Sequence, residues 1–156
     1  MSNESTQMVN EIRGVLIPLQ NSQLLLPNAA VAEVVDYHQP DSLSEGPDWL
    51  LGTTSWRQRN LMLVRLESLF GETVKDTSAR QRIIVCHALS VDAKRPFIGI
   101  VASSIPRLVR VREAMLESQE MTLSPDMPIH AQVLIDGQPA IIPDISALEK
   151  MLADVA

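Results

Sequence analysis

The chain carries a single cysteine, Cys86, so it can close no internal disulfide and depends on packing alone. Aromatic residues make up only 3% of its 156 positions, which leaves the core to be built from aliphatic side chains. Clustered positive charge is missing as well. The formal net charge is -6, and a surface of that sign repels phosphate backbones, so nucleic acid and anionic membranes are poor partners. No apolar run approaches the roughly 18 to 20 residues that cross a bilayer. The opening MSNESTQMVNEIRG lacks the basic start and continuous apolar stretch of a secretory signal, and a reducing cytoplasm is the expected compartment.

Catalytic and metal motifs are absent too. There is no Gly-rich phosphate loop, no Gly-x-Ser-x-Gly elbow, and no pair of Cys or His at metal-ligand spacing. His38, His87 and His130 fall in different elements and read as ordinary histidines. Cys86, between apolar neighbours in a strand-like run, reads as an inert buried thiol. Ser103 and Ser104 lack a local base and orienting group, so a strand-end turn accounts for them better than a nucleophile does. No metal and no cofactor is expected.

What is present is a chain that is 46% hydrophobic and 21% charged, enough for one globular domain with a sizeable core or two intimately packed halves. Residues 1–10 are polar and read as a frayed tail. Short β-type runs then dominate: Val15–Leu19, Leu24–Pro27, Ala32–Tyr37, Thr53–Arg57 and Leu61–Leu66. The polar stretch 71–81 looks like a connection between halves. Beyond it the pattern resumes with Arg82–Leu89, Phe97–Ser103, Arg107–Arg112, Ala131–Ile135 and Ala140–Ile142. Many short strands at close spacing predict small barrels and a mainly β fold.

Asp136-Gly137 can supply the positive φ angles of a tight hairpin, and Asn21-Ser22 marks a second, weaker turn. Helix is expected in two places. Pro47–Leu51, closed by Gly52, has room for barely one turn. Residues 146–155 place Leu148, Met151, Leu152 and Val155 on one face, with Ser146 and Glu149 at capping-box spacing. Residues 113–129 begin helix-like, break at Pro125 and Pro128, and read as a mobile excursion.

Arg107, Arg110 and Arg112 alternate with Val109 and Val111, as on a strand with one wet face. They either protect an edge against aggregation or meet an acidic patch on a partner. Glu33 and Arg57 stand out as charges within otherwise apolar strands, where a charge is either paired or presented to a partner, or is simply an isolated surface charge. Trp49 is expected to plug a barrel end. Trp56 is either core or an exposed binding anchor, with exposure slightly favoured.

The segment Trp49–Gly71, WLLGTTSWRQRNLMLVRLESLFG, resembles the signature of CheW-like coupling domains, a Gly-Val-Thr-Asn-Leu-Arg-Gly strand followed by Val-Pro-Ile-Val-Asp-Leu. VLIPLQNSQLLLP, Val31-Ala32-Glu33-Val34, FIGIVASSIPRLVRV and IIPDISALEKML are similar to further family segments, in the same order, over about Gly14 to Met151. The resemblance implies two intertwined SH3-like five-stranded barrels, subdomains at about 14–71 and 80–144, and a C-terminal helix. It implies a non-enzymatic adaptor between chemoreceptor tips and a CheA-type histidine kinase. Glu33 and Arg57 fall on the family's Glu and Arg and are expected to pair across neighbouring strands. Val31, Gly99, Val101 and Ile105 map to an apolar receptor groove, and Gly52, Trp56 and Arg57 to the binding hairpin.

The chain departs from the family at Ser55-Trp56-Arg57-Gln58, where Gln58 replaces a Gly and Arg59 and Asn60 look inserted; these departures resemble the divergent ChpC and PilI types that serve type IV pili. A β-barrel enzyme using Asp36, Glu33 or His38 as acid or base, and a small-ligand-binding barrel, are the alternative readings.

Overall fold

Several runs in this chain are apolar without alternation, among them Leu24–Leu26, Leu61–Val64 and Ile83–Cys86. A strand can bury every side chain only if both of its faces are covered. The computed structural model, which describes residues 11–43, 45–75, 79–89 and 95–155, shows how this is done. The tail expected over residues 1–10 lies outside the described residues.

The strands are β1 (Glu11–Pro18), β2 (Gln23–Pro27), β3 (Val31–Asp36), β4 (Leu50–Trp56), β5 (Arg59–Val64), β6 (Arg82–His87), β7 (Phe97–Ala102), β8 (Arg107–Arg112), β9 (Leu116–Ser118), β10 (Ile129–Ile135) and β11 (Gln138–Pro143). The α-helices are a short α1 (Leu66–Leu69) and α2 (Ile145–Val155). A six-stranded sheet runs β8-β1-β2-β11-β10-β9, and a five-stranded sheet runs β3-β6-β7-β5-β4. Both sheets draw strands from either side of the 71–81 connection, so the chain's sequence halves are not its sheets. The halves interlock through parallel pairings, β2 with β11 at Leu24 and Ile141, and β5 with β7 at Leu63–Gly99 and Val64–Ile100.

Each sheet is curled round a small core of its own and turns its other face to a shared one. Leu16, Leu25, Val111, Val133 and Ile135 fill the first curl; Leu61, Leu63, Ile83 and Val85 fill the second. Between the sheets lies the largest core, where Ile17, Leu24, Val64, Ile84 and Ile100 meet Ile145, Leu148 and Leu152 of α2. Successive residues of one strand therefore enter different cores, which is why the runs are apolar throughout. The architecture is mainly β, with two barrel-like subdomains and one C-terminal helix, as the sequence predicts.

Turn chemistry sets the register. Asp136 and Gly137 have φ of 49° and 81° and close β10–β11 as a two-residue hairpin between Ile135 and Gln138. The weaker β1–β2 turn holds through Leu19 N donating to Ser22 O at 2.9 Å.

Some local expectations need correction. Pro47–Leu51 forms a hydrogen-bonded turn, Leu50 N to Pro47 O at 3.1 Å, and feeds straight into β4 instead of making a helical turn. Helix α2 is capped by Asp144, whose Oδ1 accepts from Ala147 N at 3.0 Å. Ser146 thus lies inside the helix, and Glu149, instead of closing a capping box, accepts from Leu89 N at 2.9 Å. The helix-like start of 113–129 is a single 3-10 turn, Glu113–Met115, followed by β9. The rest of that excursion is anchored: Gln132 Oε1 accepts from Thr122 N at 2.7 Å and Leu123 N at 3.2 Å, while Leu123 and Met127 pack on the main core.

Candidate functional site

Edge strands end a sheet unless something covers them, and β3 and β4 are the two edges of the five-stranded sheet. Glu33 lies on β3 and Arg57 in the turn after β4. They do pair, but from opposite edges of the sheet and not from neighbouring strands. Arg57 Nε donates to Glu33 Oε1 at 2.9 Å, and Trp56 Nε1 donates to the same oxygen at 3.1 Å. The curl of the sheet brings these edges together, and this carboxylate clasps them.

The chain leaving β3 completes the closure. Asp41 and Thr53 exchange backbone hydrogen bonds of 2.8 and 3.0 Å, and the His38 ring bonds the Thr54 hydroxyl. Gly52 permits the approach: its φ is 137°, and a Cβ there would lie 2.0 Å from the Asp41 carbonyl oxygen. Trp56 is half-buried and not an exposed anchor, because its ring packs edge-on against Phe97 with centroids 4.8 Å apart. Arg57 and Gln58, at φ of 48° and 63°, form the two-residue turn between Trp56 and Arg59, a conformation that glycine would adopt without strain. Arg59 and Asn60 are ordinary residues of β5.

The groove residues separate by exposure. Val31 is half-buried and packs on the main core. Gly99 and Val101 are buried in β7; Val101 is only 2% exposed, and a Cβ on Gly99 would sit 2.5 Å from a Leu63 methyl. Both can shape a surface from beneath but cannot be touched by a partner. Ile105 lies beyond the end of β7, not within a strand, and is 62% exposed.

The residue that sequence reasoning passed over is Leu108, 78% exposed on β8. It shares strand parity with Arg110 and Arg112, so the alternation already places it on their wet face. Beside it is a cleft of about 400 Å³ lined by Arg13, Gly14, Asn28, Leu108, Val109 and Arg110. Arg110 pairs with Glu11 across the β1–β8 ladder at 3.7 Å.

The groups of a catalytic reading do not converge. Glu33 is engaged in the clasp, Asp36 pairs with Arg82 at 3.5 Å on the solvent side, and His38 is bound to Thr54. Cys86 is buried, and burial pushes its thiol pKa up to about 12. Ser103 Oγ donates to Leu19 O at 3.2 Å, a strand-end role. Among the described residues no group of three or more His, Cys, Asp or Glu side chains could hold a metal ion. Nor is any described helix long and apolar enough to cross a membrane.

One further polar cluster joins the β1–β2 turn to α1. Glu67 is buried and accepts from Gln20 N at 3.1 Å, and Gln20 exchanges two hydrogen bonds with the Lys75 backbone. Glu72 lies close by, its pKa raised by burial first and by the charge of Glu67 second.

Comparison with known proteins fits this geometry. No curated protein sequence gives a significant match. Among solved structures, the scaffolding protein TtCheW from Thermoanaerobacter tengcongensis superposes with a TM-score of 0.71 at 19% identity, covering 85% of this chain and 88% of its own, a likeness of fold. The family model of the CheW-like domain matches residues 13–152, nearly the whole of the chain, and the chain belongs to that family.

Proposed function

We propose that this chain is a non-enzymatic adaptor that couples chemoreceptors of the methyl-accepting type to a CheA-type histidine kinase, in the cytoplasm, at membrane-associated receptor arrays. Membership of the CheW-like family supports the coupling role. The observation that carries the docking assignment is Leu108, 78% exposed on the wall of the β1–β8 cleft, with the exposed Ile105 three residues before it in the chain. A lone exposed Leu needs no explanation, but a Leu lining a cleft, with a second exposed aliphatic residue on the segment leading into the same strand, suits the apolar stripe of an amphipathic receptor helix. The Glu33–Arg57 clasp with Gly52 and Trp56 fixes the hairpin offered to the kinase, while Val31, Gly99 and Val101 serve from within the packed cores that hold these strands in place. The replacement of the family's Asn-Leu-Arg-Gly by Ser55-Trp56-Arg57-Gln58 favours the divergent branch that serves type IV pili.

The test is capture of a receptor cytoplasmic fragment and of the kinase regulatory domain by the purified chain. Ile105→Asp combined with Leu108→Asp should abolish receptor capture with the circular dichroism spectrum unchanged, because both side chains already face solvent. Arg112→Ala should change affinity little. Normal receptor capture by the folded double variant would refute the docking assignment. For the pilus branch, a deletion strain should lose twitching and keep swimming.

A further inference from the structure

The β4–β5 hairpin carries, beside the clasp, a pocket that the Glu33–Arg57 pair does not fill. Arg59 of β5 places its guanidinium carbon 5.3 Å from the centre of the Phe97 ring, and Phe97 in turn packs on Trp56. Arg59, Arg95, Trp56, Asn60, Pro96 and Phe97 line a pocket of about 240 Å³, with Leu61 at its base. Arg57 is committed to Glu33, but Arg59 and Arg95 have no carboxylate partner among the described residues. In a chain of net charge -6, two arginines line one pocket with no acidic residue among its described lining.

We infer that this pocket is a docking site for an acidic side chain flanked by apolar residues on a partner protein. A guanidinium held beside an aromatic face by cation–π attraction keeps its N–H groups free for a carboxylate, which it can bind through two parallel hydrogen bonds. Asn60 adds a donor at the rim. The apolar walls, Trp56, Phe97 and Pro96, select an occupant that brings apolar surface beside its charge. A nucleic acid does not fit, since the net negative field of the chain opposes a polyanion while leaving a single local carboxylate attracted. That the occupant is a protein segment rests on the adaptor reading; the pocket itself does not depend on which partner is coupled. Arg59 and Asn60 follow directly on the Arg57-Gln58 turn, so pocket and clasp are built on the same hairpin.

The probe is a pentapeptide, acetyl-Leu-Glu-Phe-Glu-Leu-amide, titrated into the full-length isotope-labelled chain at low salt, with its glutamine counterpart as control. The indole N–H resonance of Trp56 reports binding, because that group sits at the pocket and donates to Glu33. The glutamate peptide should shift it, and the glutamine peptide should bind at least about tenfold more weakly, the loss of a charge-assisted pair. Arg59→Ala and Arg95→Ala should each weaken the glutamate peptide by a similar factor, and Arg59→Lys should restore part of it. Arg112→Ala, on the other sheet, should bind as the parent does. Equal binding of the two peptides, or unchanged binding by the Arg59→Ala Arg95→Ala chain, would overturn the assignment. So would inorganic phosphate reproducing the peptide's shifts at equal concentration, which would make the pocket a general anion site. Receptor and kinase capture by the parent chain separates this from the adaptor reading: peptide binding without capture condemns the adaptor alone, and capture without peptide binding condemns the pocket alone.

Discussion

Substituting Gly52 by alanine tests whether closure of the five-stranded barrel depends on the backbone approach of Asp41. The new Cβ would meet the Asp41 carbonyl oxygen at 2.0 Å and its carbonyl carbon at 2.8 Å, both backbone atoms that cannot swing aside. Either Gly52 leaves its φ of 137° or the 41–42 segment retreats, and retreat breaks both Asp41–Thr53 hydrogen bonds. Two such bonds are worth about 1 kcal/mol each net, and holding a side chain in that region of φ costs about 1 to 3 kcal/mol. Retreat leaves alanine at that φ, so by that route the two costs add to an expected loss of about 3 to 5 kcal/mol. Gly137→Ala serves as the comparison: it has a positive φ of 81° but nothing within 4 Å of the new atom, so it reports conformational cost alone, about 1 kcal/mol. Urea unfolding followed by tryptophan fluorescence gives both values, and hydrogen exchange at the Asp41 and Thr53 amides locates the damage. If Gly52→Ala cost no more than Gly137→Ala, or if those amides kept their protection, closure through Asp41 would be the wrong account of this glycine.

Gln58→Gly should stabilise the chain by about 0.5 to 1 kcal/mol in the same unfolding assay, because it relieves a non-glycine residue at φ of 63° while restoring some unfolded-state freedom. Val101→Asp should fail to fold, placing a charge at a position 2% exposed at a cost of several kcal/mol; a folded variant by circular dichroism would contradict the packing of β7. For Glu72 the folded pKa is raised, so its favourable contribution is present below the unfolded pKa and lost as pH rises through the folded value. Glu72→Gln should therefore raise the melting temperature at neutral pH and flatten its decline on leaving the acid range; a lower melting temperature at pH 7 would refute this. A double-mutant cycle on Glu33 and Arg57 should return a coupling of about 0.2 to 1 kcal/mol, since Arg57 is 70% exposed and solvent screens the pair.

The strands were legible because their ends are marked by turns and their interiors by aliphatic runs; β9 was not, since Leu116–Ser118 is short, polar and held by pairing with β10. Helix α1 escaped notice because Leu66–Leu69 is a single turn, too short for periodicity to register, and the buried Glu67 reads as a surface charge. Tertiary context overrode the local signals at Pro47 and Ser146. A proline and a glycine flank a turn as readily as a helix, and Asp144 reaches the first turn of α2 before Ser146 can cap it.

The site was legible in a different way. Glu33 and Arg57 announced themselves as charges within apolar strands, and they do meet; the route by which they meet was hidden, because no pattern in a sequence says that a sheet curls until its edges touch. The same limit explains Val101. When both faces of a strand are apolar, periodicity cannot distinguish a side chain in a barrel interior from one lining a surface seam, and burial alone decides. Leu108 was the converse case, since its parity with Arg110 and Arg112 already marked it as outward.

What the fold adds is the path between the surfaces. Asn28 lines the β1–β8 cleft, the 3-10 turn Asn28–Ala30 leads directly into β3, and Glu33 on that strand holds the hairpin clasp. Ala30 and Val31, between them, are packed on the core shared by both sheets. Cleft and clasp are thus joined by a short stretch of chain whose middle cannot shift without disturbing the main core. Packed cores resist continuous deformation, so a displacement imposed at Asn28 would have to move Ala30 and Val31 against the core and the β3–β6 ladder before it reached the clasp at Glu33, and those contacts hold the clasp steady against small movements at the cleft.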